Sequence, residues 1–450
     1  MSHAHSPWRV ADFRTLFTAA ALSELGTNIG YVAIPLIAVE ALDASPGQVG
    51  ALAALGTVAF LLIGLPAGAW VDRMRRRRVM MVADLVRAAL IGSIPLAWWL
   101  DVLTLPQLYA VVLLNGCATV FFDVGSQSFV PHLVGREALV PANAAIVSLM
   151  ATANIAGRGA GGFLVQVVAA PFAVVSTVVG YLASGLGLAR IRTDGAPAAA
   201  DGPARRLRAE IGEGLRHVWR GRELRALMCT AALTNFGSQL VTVLLPVLFV
   251  RELDLPSGAL GLFLAIGGVG ILVGARSARP ISHRFGYGRT MGLAGLCLAP
   301  AALVIPLLDR GPWLGVAGVG WFLCTARMGV DNVLGVSLRQ RLTPDALLGR
   351  MNATFRCLLT GAAAIGAVAA ALIGEFAGVH AAMWVGAVCM ALAFLPVFCS
   401  PIRALRTLPE GPAVRVVTAA GGEPAEAPVR AGRARRAART PRDRGAVRSR

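Results

Sequence analysis

Twelve apolar stretches, each long enough to cross a bilayer, leave this 450-residue chain no route to a soluble globule. A crossing helix needs about 20 apolar residues at a rise of about 1.5 Å each. Such stretches run near 16–39, 49–71, 79–100, 104–126, 144–168 and 170–189, and again near 226–250, 259–278, 290–308, 313–337, 353–377 and 381–399. Lipid cannot hydrogen-bond an exposed backbone, so each stretch has to be helical. The fold class is therefore an all-α membrane protein of twelve transmembrane helices. A mean hydropathy of +0.67, with only 15% charged residues, agrees.

The chain repeats itself at long range. At an offset of 211, AALSELGTNIGYVAIPLIAVEALD (20–43) lies over AALTNFGSQLVTVLLPVLFVRELD (231–254) without a gap. Gly26, Pro35 and Asp43 meet Gly237, Pro246 and Asp254, while Ser23 meets Thr234 and Asn28 meets Gln239. The second helices continue the register, Gly50 over Gly261 and Arg73 over Arg284; at an offset of 209, LVGREALVPANA (133–144) lies over LTPDALLGRMNA (342–353). Two six-helix halves follow. Parallel repeats of this kind put a substrate path between the halves, near the bilayer midplane. The expected divisions are 1–190 for the first half, 191–224 for a linker, 225–400 for the second half and 401–450 for a tail.

Arginine collects in alternate loops: 73–78, 136, 190–225, 276–289 and 339–350. The opposite loops are short and carry Asp43, Asp101, Asp309 and Glu375. The positive-inside rule then places both termini in the cytoplasm. The net charge of +18 sits in these loops and in the last 50 residues, as topology requires, so nucleic acid is not an expected partner. No lysine occurs anywhere, which excludes a P-loop and a Schiff-base mechanism. The seven cysteines lie unpaired in apolar stretches, and no metal-ligand cluster or nucleophile elbow is present, so no enzyme activity, metal or cofactor is expected.

Within the linker, RRLRAEIGEGLRHVWRGRELR reads as helical, with Leu207, Ile211, Leu215 and Val218 or Trp219 on one side. It is either an amphipathic helix on the inner surface, touching membrane lipid, or a tether. The tail holds twelve arginines against four acids and reads as disordered. It is either attracted to anionic lipid or a solvated spacer.

The second stretch ends in GLPAGAWVDRMRRRR, 64–78. Gly68 lies one turn before Asp72, where a second helix can come close, and five arginines follow at 73 and 75–78. In Gly68, Asp72, Arg73, Arg76 and Arg77 the segment resembles the loop motif of major facilitator superfamily transporters; Arg75 stands where that motif has glycine. Arg356, early in the eleventh stretch, lies where Asp72 could reach it, and such a pair would latch the halves on the inner side.

A charge at the centre of a membrane helix costs about 2.5–3.5 kcal/mol, so each is a functional candidate. Glu24 lies near the midplane with Asn28 one turn on. It can hold and release a proton there, or pair with an arginine for packing. Asn235 and Gln239 occupy the matching segment of the second half and join them as candidates for a proton-coupling and substrate cavity. Arg158, set among Gly157, Gly159, Gly161 and Gly162, offers a site for an anionic group or a structural partner to Glu24 or Asp123. Arg327 and Asp331 are spaced to pair along one helix face, as a structural pair or as part of a gate or proton relay. Asp84, Arg87 and Asp123 read as partners of the arginine loops.

The runs SELGTNIGYVAIPL, FFDVGSQSFVPHLVGREALVPANA and LRQRLTPDALLGRMNATFR look like one branch of that superfamily, the bacterial enterobactin exporters and macrolide efflux proteins. The resemblance covers roughly residues 10–400. It implies alternating access and proton-driven export of a small hydrophobic or amphipathic compound, an antibiotic, drug or siderophore, across the bacterial inner membrane. The alternatives are an importer on the same fold and a non-transporting receptor or scaffold. Substrate identity and oligomeric state stay open.

Overall fold

The computed structural model describes residues 6–135, 138–192 and 207–407. The tail beyond 407 and the first part of the linker, 193–206, lie outside the described residues, as do the side chains of Gly68 and Asp72.

The first half is α1 (Ala11–Leu36), α2 (Pro46–Asp72), α3 (Arg76–Trp99), α4 (Leu105–Val134), α5 (Leu139–Val168) and α6 (Ala170–Ala189). A linker helix, α7 (Leu207–Arg220), leads to α8 (Arg222–Thr242), which continues through Leu245–Val247. Then come α9 (Ser257–Phe285), α10 (Tyr287–Leu298), α11 (Pro312–Arg341), α12 (Asp345–Phe376) and α13 (Val379–Leu392). Eleven helices among the described residues are long and apolar enough to cross a membrane. The twelfth crossing is α5, thirty residues long, whose hydropathy is lowered by Asn143, Asn154, Arg158 and its glycines.

The sequence repeat is visible in the main chain. α1 ends in a wide π-type turn at Ile37–Ala41, and α8 continues into one at Leu248–Glu252, the repeat-matched residues. Asp43 and Asp254, also matched, both take positive φ, 49° and 46°. The ninth crossing departs from the expected single helix over 290–308. α10 stops at Leu298, and Ala299–Leu307 forms tighter 3-10 turns. Pro300 and Pro306 explain the break, since neither has an N–H to continue the α-helical ladder.

Helix crossings obey the same two-fold relation. A Cβ built on Gly50 of α2 would lie 2.5 Å from the Ala371 Cα of α12, and one on Gly261 of α9 would lie 2.8 Å from the Gly162 Cα of α5. Gly50 matches Gly261 and Gly162 matches Ala371, so these are one crossing made twice. Both join the two halves. Within each half, Gly26 meets Thr177 of α6 and Gly237 meets Gly386 of α13, again matched pairs. Small residues let helix backbones approach closely where lipid gives no hydrophobic drive.

The ends of the bundle differ. At the end away from the linker, one apolar core spans both halves, with Val32, Ile37 and Leu52 in the same cluster as Leu244, Leu248, Leu260 and Ala370. At the linker end the cores are separate. Phe13, Leu16, Met80, Phe129 and Leu188 form one within the first half, and Val218, Leu224, Met291, Leu338 and Phe355 form another within the second. The halves therefore share one core at the far end and keep separate cores at the linker end. Polar contacts at the far end cross the same seam. Glu40 accepts from Ser257 Oγ at 2.6 Å, Asp43 pairs with Arg251 at 2.5 Å, and Glu375 accepts from the Gly47 N–H at 2.8 Å.

On α7, Val218 is fully buried and Gly214 is buried beside Arg350 and Thr354 of α12, while Leu215 and Trp219 stay exposed. Of the expected apolar stripe, Val218 turns inward and these two face out. Leu207 and Ile211 lie outside the described side chains. Glu213 forms an ion pair with Arg350.

Candidate functional site

Each half carries a buried arginine under a hydroxyl of its first helix. In the first half Arg87 of α3 is 1% exposed and Asp84 is wholly buried. Arg87 Nη1 donates to Asp84 Oδ1 at 2.9 Å and to Ser23 Oγ at 3.1 Å. Its Nη2 donates to Thr27 Oγ1 at 2.7 Å and to the Tyr181 hydroxyl at 2.9 Å, with the guanidinium 3.9 Å from the Tyr181 ring centre. Ser23 Oγ donates in turn to Asp84 Oδ1 at 3.2 Å. This corrects the expectation that Asp84 and Arg87 serve the arginine loops. They neutralise one another inside the half, and α1, α3 and α6 are tied together through them. A buried charge is tolerated only when paired and hydrogen-bonded, which the hydroxyls supply.

In the second half Arg327 of α11 is fully buried and donates to Asp331 Oδ2 at 2.6 Å, the expected i,i+4 pair. Its Nη2 donates to Thr234 Oγ1 at 3.2 Å. Thr234 matches Ser23 in the repeat, so the same hydroxyl position receives an arginine in both halves. The Asp331 side chain keeps 18% exposure.

Glu24 and Asn28 sit on the α1 face that meets α5. Asn28 is buried; its Nδ2 donates to the Glu24 carbonyl at 2.9 Å, and it accepts from Asn154 of α5 at 3.3 Å. The Glu24 carboxylate is half-buried, has no ion-pair partner among the described residues, and lies within electrostatic reach of Asp123, Arg87 and Asp84. A carboxylate placed so can change its proton occupancy without breaking a bonded pair. The matched residues of α8 are similar in backbone but neutral. Asn235 Nδ2 donates to the Ala231 carbonyl at 2.9 Å, and Gln239 packs against Gly366 of α12 as Asn28 packs against Gly157 of α5.

Arg158 finds neither expected carboxylate. Gly157 and Gly161 press on α1, whereas Gly159 and Gly162 press on α9. At about 100° per residue, the side chain between them points into the gap between α1 and α9, and so between the halves. There its guanidinium lies 4.5 Å from the ring centre of Tyr31, which is 47% exposed. Its Nε is buried without a hydrogen-bond partner among the described residues. Tyr31 carried no charge to draw attention in the sequence; its place one turn beyond Asn28 was the available signal.

The latch residues separate by role. Arg76 is 4% exposed and lies 2.9 Å from His132 Nε2 of α4. Arg77 donates to the Leu188 and Ala189 carbonyls at the end of α6, at 2.9 and 2.7 Å. Both brace their own half. Arg73 stays exposed. Arg356 stacks 4.6 Å from the Phe60 ring centre and lines a cavity of about 280 Å³ with Phe60, Gly64, Val124 and Asn352. It acts electrostatically on Asp123, which also feels Arg87. Its relation to Asp72 lies outside the described residues.

Comparison with known proteins gives a consistent set. A family profile described as transmembrane secretion effector matches residues 2–416. The multidrug efflux pump Tap of Mycobacterium tuberculosis is 30% identical over 407 residues, covering 88% of this chain and 91% of that protein. The enterobactin exporter EntS of Escherichia coli is 27% identical over 372 residues, covering 80% and 84%. Among solved structures, a bacterial homologue of the iron transporter ferroportin in an inward-facing state superposes with a TM-score of 0.68 at 18% identity, covering 86% of this chain and 98% of that one. The nucleoside transporter NupG gives 0.66 at 12%, covering 86% and 99%. At such identities these structures speak for the fold alone.

Proposed function

This chain belongs to the transmembrane secretion effectors of the major facilitator superfamily, and from that premise we propose that it is a proton-coupled exporter of a small hydrophobic or amphipathic compound. It works by alternating access, with both termini in the cytoplasm of a bacterium. The observation that carries the reading is the difference between the two ends. Halves that share one core at the far end and keep separate cores at the linker end match one of the two states alternating access requires. The linker end carries the arginine-rich loops, so it faces the cytoplasm by the positive-inside rule, and the cavity loads from inside. Similarity to Tap and EntS supports the outward direction.

The substrate sits between the halves, against Tyr31 and Arg158 on one side and Asn235 and Gln239 on the other. Glu24 exchanges the proton. A proton arriving from outside neutralises it, and its charge returns when the cavity faces inward, so its interactions with Asp123 and Arg87 change with the state. The pairs Arg87–Asp84 and Arg327–Asp331 keep the two buried arginines neutralised beneath this cavity. In the opposite state, Asp72 and Arg356 close the linker end.

Everted vesicles holding an imposed pH gradient test this, challenged with antibiotics, dyes and siderophores. Substrate-dependent collapse of the gradient in the native protein, lost in Glu24→Gln while the protein remains inserted, is the expected result. Collapse of equal size in Glu24→Gln removes the acid from the coupling role. Substrate accumulation by intact cells would reverse the direction.

A further inference from the structure

Helices α3 and α4 part on the outer face of the first half to leave a groove of about 800 Å³. Its walls include Val79, Val82, Val86 and Leu90 from α3, with Leu114 and Phe121 from α4. Three arginines, Arg73, Arg75 and Arg78, line its mouth. We propose that this groove is a binding site for an anionic phospholipid of the linker-end leaflet, with one acyl chain between α3 and α4 and the headgroup phosphate on the three arginines.

Three observations fix the occupant. First, the groove belongs to the lipid-facing surface, for Val82, Val86 and Leu114 are 53%, 43% and 51% exposed and no helix among the described residues covers them. Second, its length fits one leaflet. Val79 to Leu90 is eleven steps along α3, about 16 Å at 1.5 Å per residue, against about 15 Å for half of a 30 Å hydrocarbon core. Third, the charges are placed for a headgroup. The loop's five arginines divide by direction, Arg76 and Arg77 turning inward to His132 and to the end of α6, and the other three ringing the mouth. Guanidinium groups match phosphate oxygens in geometry as well as charge. Trp70 of α2 stacks on Phe121 at 6.0 Å between ring centres, a flat aromatic wall at headgroup depth, where indole rings collect. Surface arginines attract anionic headgroups, and Arg73 and Arg78 together favour an anionic over a zwitterionic lipid by roughly thirtyfold.

Native mass spectrometry of the full-length protein, purified from membranes containing phosphatidylethanolamine and phosphatidylglycerol, tests the site. The native chain should retain phosphatidylglycerol. The triple change Arg73→Gln, Arg75→Gln, Arg78→Gln should lower that retention at least tenfold, and the corresponding change to lysine should restore most of it. Val82→Trp, which fills an exposed part of the groove and leaves the loop intact, should displace the lipid as well. Arg276→Gln with Arg279→Gln, exposed on α9, controls for general charge and should change nothing. Equal retention in the triple glutamine variant or in Val82→Trp, equal loss in the α9 control, or equal retention of phosphatidylethanolamine by the native chain would each overturn the proposal.

Discussion

Replacing Gly162 by alanine should open the far end of the molecule. A Cβ at this position would lie 2.6 Å from the Gly261 Cα and 2.6 Å from the Ser257 carbonyl oxygen. Carbon atoms in contact stay about 3.5–4.0 Å apart, so α5 and α9 must separate by roughly 1 Å. The obstructing atoms are backbone and cannot rotate aside. Overpacking of this size costs about 1–3 kcal/mol. The cost falls on the far-end-closed state, in which this contact is made. A difference of about 1–3 kcal/mol between states moves their ratio by about 5- to 150-fold. Spin labels at Val102 and Asp309, both exposed in far-end loops of opposite halves, report the change as a distance distribution. The native protein should show a short main distance and Gly162→Ala a longer one. Gly50→Ala, at the other inter-half crossing, should move it the same way. An unchanged distribution in a folded, inserted Gly162→Ala protein would refute the assignment of this crossing as the closure of the far end.

Three further outcomes can be measured in detergent or vesicles. Asp84→Ala leaves Arg87 buried without its carboxylate and should destabilise by about 3–5 kcal/mol; the double change Asp84→Leu, Arg87→Met should recover most of that in a thermal melt, and a double variant as weak as the single would deny the pairing. Thr234→Val removes an acceptor of a charged donor, worth about 1.5–3 kcal/mol, and Ser23→Ala should act likewise; native melting in both would mean the hydroxyls do not hold the arginines. Arg158→Leu gives up a cation–π contact of about 0.5–2 kcal/mol, so its melt should stay near native while transport of anionic substrates falls more than transport of neutral ones; an unaltered charge preference would detach Arg158 from the cavity.

The architecture was legible because the bilayer restricts the choices to helix and the repeat is written in the residues. Pro35 with Asp43, and Pro246 with Asp254, mark the matched ends at which both chains make the same wide turn. Arg327 and Asp331 could be paired from spacing alone. Asp84 and Arg87 stand at a pairing distance too, but the hydroxyl partners of Arg87, namely Ser23, Thr27 and Tyr181, stand 64, 60 and 94 residues away, and no local pattern links them. The usable clue was depth: Arg87 lies three turns inside α3, too far to serve the loop. Arg158 left two readings open, an anionic group or a carboxylate partner. A lone arginine in a membrane helix suggests a carboxylate, whereas its flanking glycines set its direction and delivered it to an aromatic face.

The two buried arginines descend on matched hydroxyls from different helices, α3 in one half and α11 in the other. If the halves arose by duplication, the main chain kept its two-fold symmetry while each copy assigned its cation anew. The symmetry axis thus relates the scaffold and not the electric field, and a substrate crossing the midplane meets unequal potentials from the two sides. That inequality lets a cavity built from like halves orient a polar substrate toward one half rather than the other.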